Sequence, residues 1–423
     1  IENDIAWRID ALVAFIFGKP IAIRSTAADP ALRARIERSL EAVLESSGGM
    51  GLLQDAALLG NVHGWVDLVV RAEALIDAGW QLGSGAHLTD GALAEIARLA
   101  RIETIEAPRG VPVVAENDYR RLDAYLIHTT REGRAVVTTA PLGARGSLAR
   151  WLAQSRSGHA ERTARSVHTV LEVLSASHRQ VYIDDALVEE HTNRLGVVPV
   201  VHIQNATQPF RYAGLSEVEP LVPLQDELNA RLSDRAHRVT MQSFNMYLAK
   251  GLEALSDSAS AMRIAPGQVW TTDNPEADVK SFGGDGHSPS EERHIDEVRE
   301  AMDKLSSVSP VVLGVVRAKL GHLSSVNALR ITMLGVLAKT ERKRLAYGRG
   351  IAEACRLVLR AMDIAGLLPT REEDRGIRIE WPDPLPASEE DRLAAARLKR
   401  DIGVPEERVL AELGYATRNA AVE

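Results

Sequence analysis

In and just after "GLSEVEPLVPLQDELNARLSDRAH" (214–237), apolar residues recur at Leu221, Leu224, Leu228, Leu232, Ala236 and Val239, at steps of 3, 4, 4, 4 and 3. That spacing is one face of an α-helix and is incompatible with a strand. Ser216 followed by Glu219 is a capping-box pattern, and a helix start tolerates Pro220. Pro223 falls in the first two turns or bends the helix. The pattern predicts a helix over 216–248. A second one restarts in "SPSEERHIDEVREAMDKL" (288–305), where Ser290 is a candidate cap, acids fill the first turn, and Ile295, Val298, Met302 and Leu305 share a face. Between them lie about forty residues with Gly, Pro and Asp clusters, including "SFGGDG" (281–286). One helix leaves, a small subdomain intervenes, and a second helix returns. No histidine–carboxylate pair or glycine loop interrupts the first helix, so its role is architectural.

A chain of 423 residues exceeds the usual size of one core, so two or three subdomains are expected. Residues 1–60 read as helices broken at "FGKP" (17–20) and "SSGGMG" (46–51), with "IAI" after Pro20 as a short strand. From 61 to about 205 the pattern turns to strands and loops. "HTVLEVLSA" (168–176) alternates as a half-buried strand, "QVYIDDALVEE" (180–190) reads as two strands around the Asp184–Asp185 turn, and "VVPVVHI" (197–203) is β-branched. After the returning helix, 307–325 reads as a loop. The stretch from Val326 to Gly366 then reads as a helix of roughly forty residues, about 60 Å if continuous, with Gly335, Gly348 and Gly350 as candidate bends. "WPDPLP" (381–386) is a linker before two short helices. The fold class is α+β, mainly helical.

Chemistry is sparse. There is no HExxH and no closely spaced His/Asp cluster. His63 sits at a predicted helix-to-strand corner, and His191 and His202 flank a strand without forming a ligand motif. "SFGGDG" lacks the lysine and hydroxyl of a P-loop. The single Cys355 rules out an intramolecular disulfide and a cysteine zinc site, and it reads as a small core residue. The basic stretch "KTERKRLAYGR" (339–349) is either a solvated helix face or a phosphate or partner contact. Aromatics at 4% argue against base stacking, and apolar runs are too short to span a bilayer. No signal peptide is visible, so a cytoplasmic origin is expected. No enzyme, cofactor or metal is expected. The net charge of −8 falls within 215–305, where 17 acids face 9 Lys and Arg; the rest of the chain sums to zero. Such a segment repels phosphate.

Several stretches, in order, resemble the portal proteins of tailed bacteriophages. They are "FIFGKPIAI" (15–23), "LLQDAALLGNVHGWVDL" (52–68), "RLGVVPVVHIQN" (194–205) followed by "GLSEVEPLVPLQDELNARLSD" (214–234), "LGHLSSVNALRI" (320–331) and "IEWPDPLPASEEDRLAAARLKRDIGVPEERVLAELG" (379–414). Ser325-Val326-Asn327 departs from the family's Ser-Gly pair at the fourth. The resemblance implies a portal-type fold: wing 1–215, outgoing stem helix 216–248, clip 249–290, returning stem helix 291–308, channel (tunnel) loop 309–325, long helix and wing 326–380, crown 381–423. It implies a homo-oligomeric ring, usually a 12-mer, at one capsid vertex of a virion assembled in the host cytoplasm. Its partners would be the terminase large subunit, a connector or adaptor protein, the major capsid or scaffold protein, and dsDNA passing through the channel, with no membrane. Stem packing would fall to Leu221, Leu224, Leu228, Leu232, Val298 and Met302, and the DNA-channel candidates are Arg317, Lys319 and His322. The competing readings are another structural head–tail ring component, or a metal-dependent DNA-processing enzyme using Asp184 and Asp185.

Overall fold

Helix α1 (Asp4–Phe17) stops at the predicted "FGKP" break, and β1 (Ala22–Ser25) follows. Helix α2 (Pro30–Ser46) opens with Pro30 in its first turn and with the Asp29 carboxylate accepting from the amides of Ala31 (3.1 Å) and Leu32 (3.3 Å). Helix α3 (Met50–His63) ends at Gly64, and β2 (Trp65–Arg71) begins at once, which is the predicted corner. Helices α4 (Glu73–Leu82) and α5 (Asp90–Ala97) lie where strands and loops were expected. Their short apolar sets, Leu75–Ile76–Gly79 and Leu93–Ala97, make barely one helical repeat, and Thr89 caps the second by accepting from Ala92 N.

Strands β3 (Arg101–Glu106), β4 (Gly110–Ala115), β5 (Asp118–Val136), β6 (Thr163–Ser175), β7 (His178–Ile183), β8 (Ala186–Thr192) and β9 (Val200–Gln204) follow. Next come α6 (Val222–Gln242), preceded by a 3₁₀ turn at Glu219–Leu221, then β10 (Met246–Lys250), β11 (Asp278–Phe282) and α7 (Pro289–Ser306). The long helix α8 (Leu334–Ile364), β12 (Ile377–Glu380), α9 (Glu389–Asp401) and α10 (Glu406–Leu413) complete the order. The computed structural model describes residues 2–83, 88–136, 163–242, 246–250, 276, 278–282, 289–313, 330–385 and 389–413.

The chain divides into two units: Ile1–Trp7 with Pro220–Ser307, and Arg8–Glu219 with Val308–Glu423. In the larger unit, β3-β2-β9 form an antiparallel sheet, and β4-β5-β6-β7-β8 form a second one. Alternation along β2 explains how they stack. Val66, Leu68 and Val70 join the main core with Leu53 and Ala57 of α3 and Ile351, Cys355 and Val358 of α8. Val69, on the other face, packs with Ile105, Tyr125, Ile127 and Leu174, which ties the two sheets together. Asp184 and Asp185 take φ of 48° and 68°, the paired positive values of a tight two-residue hairpin turn between β7 and β8.

Helix α8 has 31 residues, about 46 Å, and runs through Gly348 and Gly350 without a break. It comes so close to its neighbours that a Cβ at Gly350 would collide with Ile203 of β9, and one at Gly60 of α3 would collide with the Tyr347 hydroxyl. Glycine here is a matter of clearance, not of bending. Trp381, in the predicted linker, packs on Phe17 (5.3 Å between ring centroids) and lies under the Arg344 guanidinium.

Candidate functional site

In the smaller unit, Leu221, Leu228, Ile295, Val298 and Met302 form one buried cluster, with Ile5, Leu224 and Leu232 packed against it. The six residues singled out on the two helices are therefore brought together. The helices run antiparallel: Arg238 pairs with Glu291, Arg235 with Glu292 (3.9 Å), and Glu227 with His294 (3.0 Å). The amino-terminal residues join them, with Asp4 N donating to Gln225 Oε1 (2.8 Å) and Arg299 donating to Glu2 (2.5 Å).

Three details of the predicted helices change. The first is helical only from Glu219, with its α portion over Val222–Gln242, and Met246–Lys250 is a strand paired antiparallel with Asp278–Phe282. Ser216 does make its capping contacts, accepting from Val218 N (3.0 Å) and Glu219 N (3.2 Å), but it caps the 3₁₀ turn that precedes the α-helix. Burial fades along the apolar stripe, leaving Ala236 and Val239 exposed. On the return, Leu305 is 53% exposed, because Ser306 takes the next inward position after Met302 and donates to the Met302 carbonyl (2.8 Å). The channel candidates Arg317, Lys319 and His322 lie outside the described residues.

The basic stretch on α8 is not a solvated face. Lys343 is 2% exposed and donates to Asn205 Oδ1 (2.9 Å) and Asn61 Oδ1, with Glu217 3.0 Å away; Lys339 also reaches Glu217 (2.7 Å). Arg344 is buried too, donating to the carbonyls of Phe15 and Pro382. Arg342 and Arg349 remain on the exposed side. Burial alone would raise the Glu217 carboxyl, but the charges of Lys343 and Lys339 hold it below its usual range. Burial pushes the Lys343 ammonium down to about 8 despite Glu217. Around this pair, Glu217 N donates to Asn61 O (2.9 Å) and Ser216 Oγ to Val62 O (2.6 Å). The segment just before the 3₁₀ turn is thus pinned to α3 and α8 of its own unit. Nothing in the run of basic residues distinguishes the two inward lysines.

A second polar knot went unforeseen. Asp67 on β2 is fully buried and accepts from Tyr125 Oη (2.6 Å), Tyr212 Oη (2.9 Å) and His202 Nδ1 (2.7 Å). His202 Nε2 faces the Tyr212 carbonyl (2.6 Å), so each ring nitrogen meets an oxygen. Burial, reinforced by the Asp67 charge, raises both tyrosine hydroxyls far above their usual range. The one sequence signal was an aspartate amid the apolar residues of "WVDLVV". A third set, Arg71–Glu172–Arg179, borders a cleft of about 1110 Å³ between the sheets, with cations and carboxylates in equal measure. At the turn, the Asp184 carboxylate lies against His168 Nδ1 (2.6 Å) and accepts from Thr169 N (2.9 Å). Cys355 is buried, and burial pushes its thiol up to about 12. Among the described residues, no group of three or more His, Cys, Asp or Glu is placed to hold a metal, and no helix is long and apolar enough to cross a membrane.

These networks hold the described elements of the larger unit in place. The family model described as "Phage portal protein, SPP1 Gp6-like" matches residues 99–419, about three quarters of the chain. The chain belongs to the phage portal protein family. It is thus a head–tail structural component of a phage-type particle, and its family is structural, not enzymatic. Two solved structures are similar at 12% identity, each covering 98% of this chain and 90% of the other. They are the neck of an empty gene transfer agent particle (TM-score 0.45) and the virion of a native gene transfer agent particle (TM-score 0.43). Comparison with curated proteins finds no match.

Proposed function

We propose that this portal protein forms a ring, expected to be a dodecamer, at one capsid vertex, and that dsDNA enters and leaves through its centre. The observation that carries the reading is the smaller unit: an antiparallel helix pair, α6 and α7, with the antiparallel β10–β11 strand pair following α6 and preceding α7 in the chain. In this reading α6 and α7 are the stem staves, packed by Leu221, Leu224, Leu228, Leu232, Val298 and Met302. The segment 249–290, which holds most of that strand pair, is the clip, which docks the terminase large subunit and later the connector. The larger unit supplies the wing, with the long helix α8, toward the capsid or scaffold protein, and 381–423 is the crown. Arg317, Lys319 and His322 in the 309–325 loop are the residues that would meet DNA.

The charge distribution supports a conduit. Each cation held against a phosphate adds salt-dependent affinity, so a duplex moves freely only where such contacts are few. The acidic excess in 215–305 fits that requirement. The test is native mass by light scattering together with single-particle images of the purified protein. Rings with an axial hole that admits a duplex are expected. A monomer that cleaves DNA with magnesium overturns the reading. For the loop, Arg317→Ala with Lys319→Ala is expected to change DNA retention or packaging yield while rings still form; unchanged yields remove those residues from the channel.

A further inference from the structure

Phe210 is 86% exposed, more than any other large apolar side chain among the described residues, and its φ of 61° lies in the left-handed region that bulky residues avoid. Neither burial nor backbone preference accounts for a phenylalanine there. The loop that carries it is nonetheless well held. Gln204 Nε2, at the end of β9, donates to the carbonyls of Arg211 (2.7 Å) and Tyr212 (3.1 Å). Leu215 N donates to Ala206 O (3.0 Å) across the base of the loop. The Tyr212 ring stacks on His202 (3.7 Å between centroids) while its hydroxyl donates to Asp67. An aromatic side chain on backbone that is already fixed loses little freedom when it docks.

The opposite end of the same strand pair carries a pocket. Strands β2 and β9 pair from Trp65↔Gln204 to Val69↔Val200, and Val70 N donates to Pro199 O (2.9 Å) just beyond. There Val70, Ala72, Ile76, Leu195 and Pro199 line a pocket of about 200 Å³ between α4 and the segment that follows β8. Small-molecule sites are larger, ~300–1,000 Å³, whereas an apolar cavity of ~150 Å³ already takes a benzene ring. The pocket is therefore sized for one aromatic side chain. Both features belong to the larger unit, and Gln204 and Pro199 stand about 17 Å apart along β9.

Charge matches as well. Arg211, beside Phe210, and Glu73, at the rim of the pocket, are both exposed, and neither makes an ion pair among the described residues. Asp77 and Arg194, also at the rim, pair with each other, so Glu73 and Glu190 leave it acidic.

We infer that Phe210 of one copy of this chain seats in the α4 pocket of a second copy, with Arg211 facing Glu73. The inference rests on the ring proposed above. A contact between unlike patches is heterologous: each copy gives its Phe210 to one neighbour and receives another from the opposite side, and such contacts close into rings. A small ligand in the pocket would leave Phe210 without a purpose. A second copy accounts for the side chain, the pocket and both unpaired charges together.

The experiment uses the full chain with a photo-crosslinking phenylalanine analogue in place of Phe210. Irradiated rings are expected to give crosslinked dimers that mass spectrometry maps to α4 or to residues 190–199 of the second chain. Phe210→Ala is expected to raise the protein concentration for half-maximal ring assembly by about tenfold or more, as loss of an interface anchor does. Phe210→Gly takes the same backbone without the left-handed penalty, so a loss shared by both variants traces to the missing ring and not to a misfolded loop. R211E is expected to weaken assembly by up to about fivefold, the range of exposed ion pairs, and R211E/E73R to restore it. Crosslinks confined to one chain, or mapped elsewhere on the second, overturn the inference, as does Phe210→Ala that assembles like wild type. Crosslinks that pass to duplex DNA when it is added assign Phe210 to nucleic acid and also overturn it. Wild-type images separate the two levels: rings without a crosslink to the pocket remove this contact alone, whereas absence of both rings and crosslinked dimers removes the ring reading with it.

Discussion

The two units are held together by different physics. The helix pair of the smaller unit is joined by a narrow stripe, five buried residues on α6, its leading turn and α7, flanked by ion pairs that are largely exposed, such as Arg231–Glu227 and Arg293–Glu297. Exposed pairs of this kind are worth little. The larger unit has a continuous apolar core and, inside it, charges that are buried and nearly fully partnered: Lys343 with Glu217, Asn61 and Asn205, and Asp67 with three donors. Such groups cost free energy to desolvate, and their geometry must be correct before they repay it. The larger unit is therefore the more tightly specified of the two, and the smaller one rests mainly on its apolar stripe. Ala236, Val239 and Leu305, exposed in a single chain, are consistent with that difference.

The comparison breaks most visibly at Lys343. Lys343→Ala removes one side of a buried pair and is expected to cost about 3–4 kcal/mol in urea unfolding of the larger unit, toward the low end because Lys339 stays with Glu217. A loss under about 1 kcal/mol would mean that water reaches Glu217. Leu228→Ala, at the centre of the stripe, is expected to cost about 3 kcal/mol. Hydrogen exchange should accelerate across Val222–Gln242 and remain unchanged in α8; acceleration in both would show that the units unfold as one.

Acid separates the units more gently. Glu217 and Glu172 both titrate below the usual 4.5 in the folded chain, because neighbouring Lys and Arg charges outweigh the opposing effect of burial. Their contribution is complete above the unfolded value and is lost as pH falls through the folded ones. Denaturant midpoints of the larger unit should therefore fall between about pH 5 and 3, and Glu217→Gln should flatten that slope while lowering stability at pH 7. A slope identical to wild type would remove Glu217 from the account. At the small end, Arg293→Ala breaks a surface i, i+4 pair and is expected to shift stability by less than about 0.5 kcal/mol, with no change in the exchange of α6.

The sequence carried the helix pair clearly, because Leu221, Leu224, Leu228, Ile295, Val298 and Met302 repeat at 3 and 4 over several turns, a signal independent of distant contacts. The Asp184–Asp185 hairpin was equally plain, since its turn chemistry is local. Helices α4 and α5 were missed because one or two turns leave too few repeats to separate from noise. The start of the strand, Met246–Leu248, was read as helix because its register depends on Asp278–Phe282, about thirty residues away. The polar knots were the least readable. Asp67, Tyr125, His202 and Tyr212 come from separate segments, and Lys343 reads like any lysine of a charged helix until α3 and the segment at Glu217 are placed over it.

The contacts at Gly60 and Gly350 act as two keyways. A helix whose neighbour's side chain sits in a notch with no room for even one methyl group cannot slide along that neighbour or ratchet by a turn without first being lifted away. Tyr347 sits against α3 and Ile203 in the notch at Gly350, so translation and rolling of α8 both run into a side chain. A rearrangement of the larger unit that keeps these two contacts carries the rod, α3 and β9 along together.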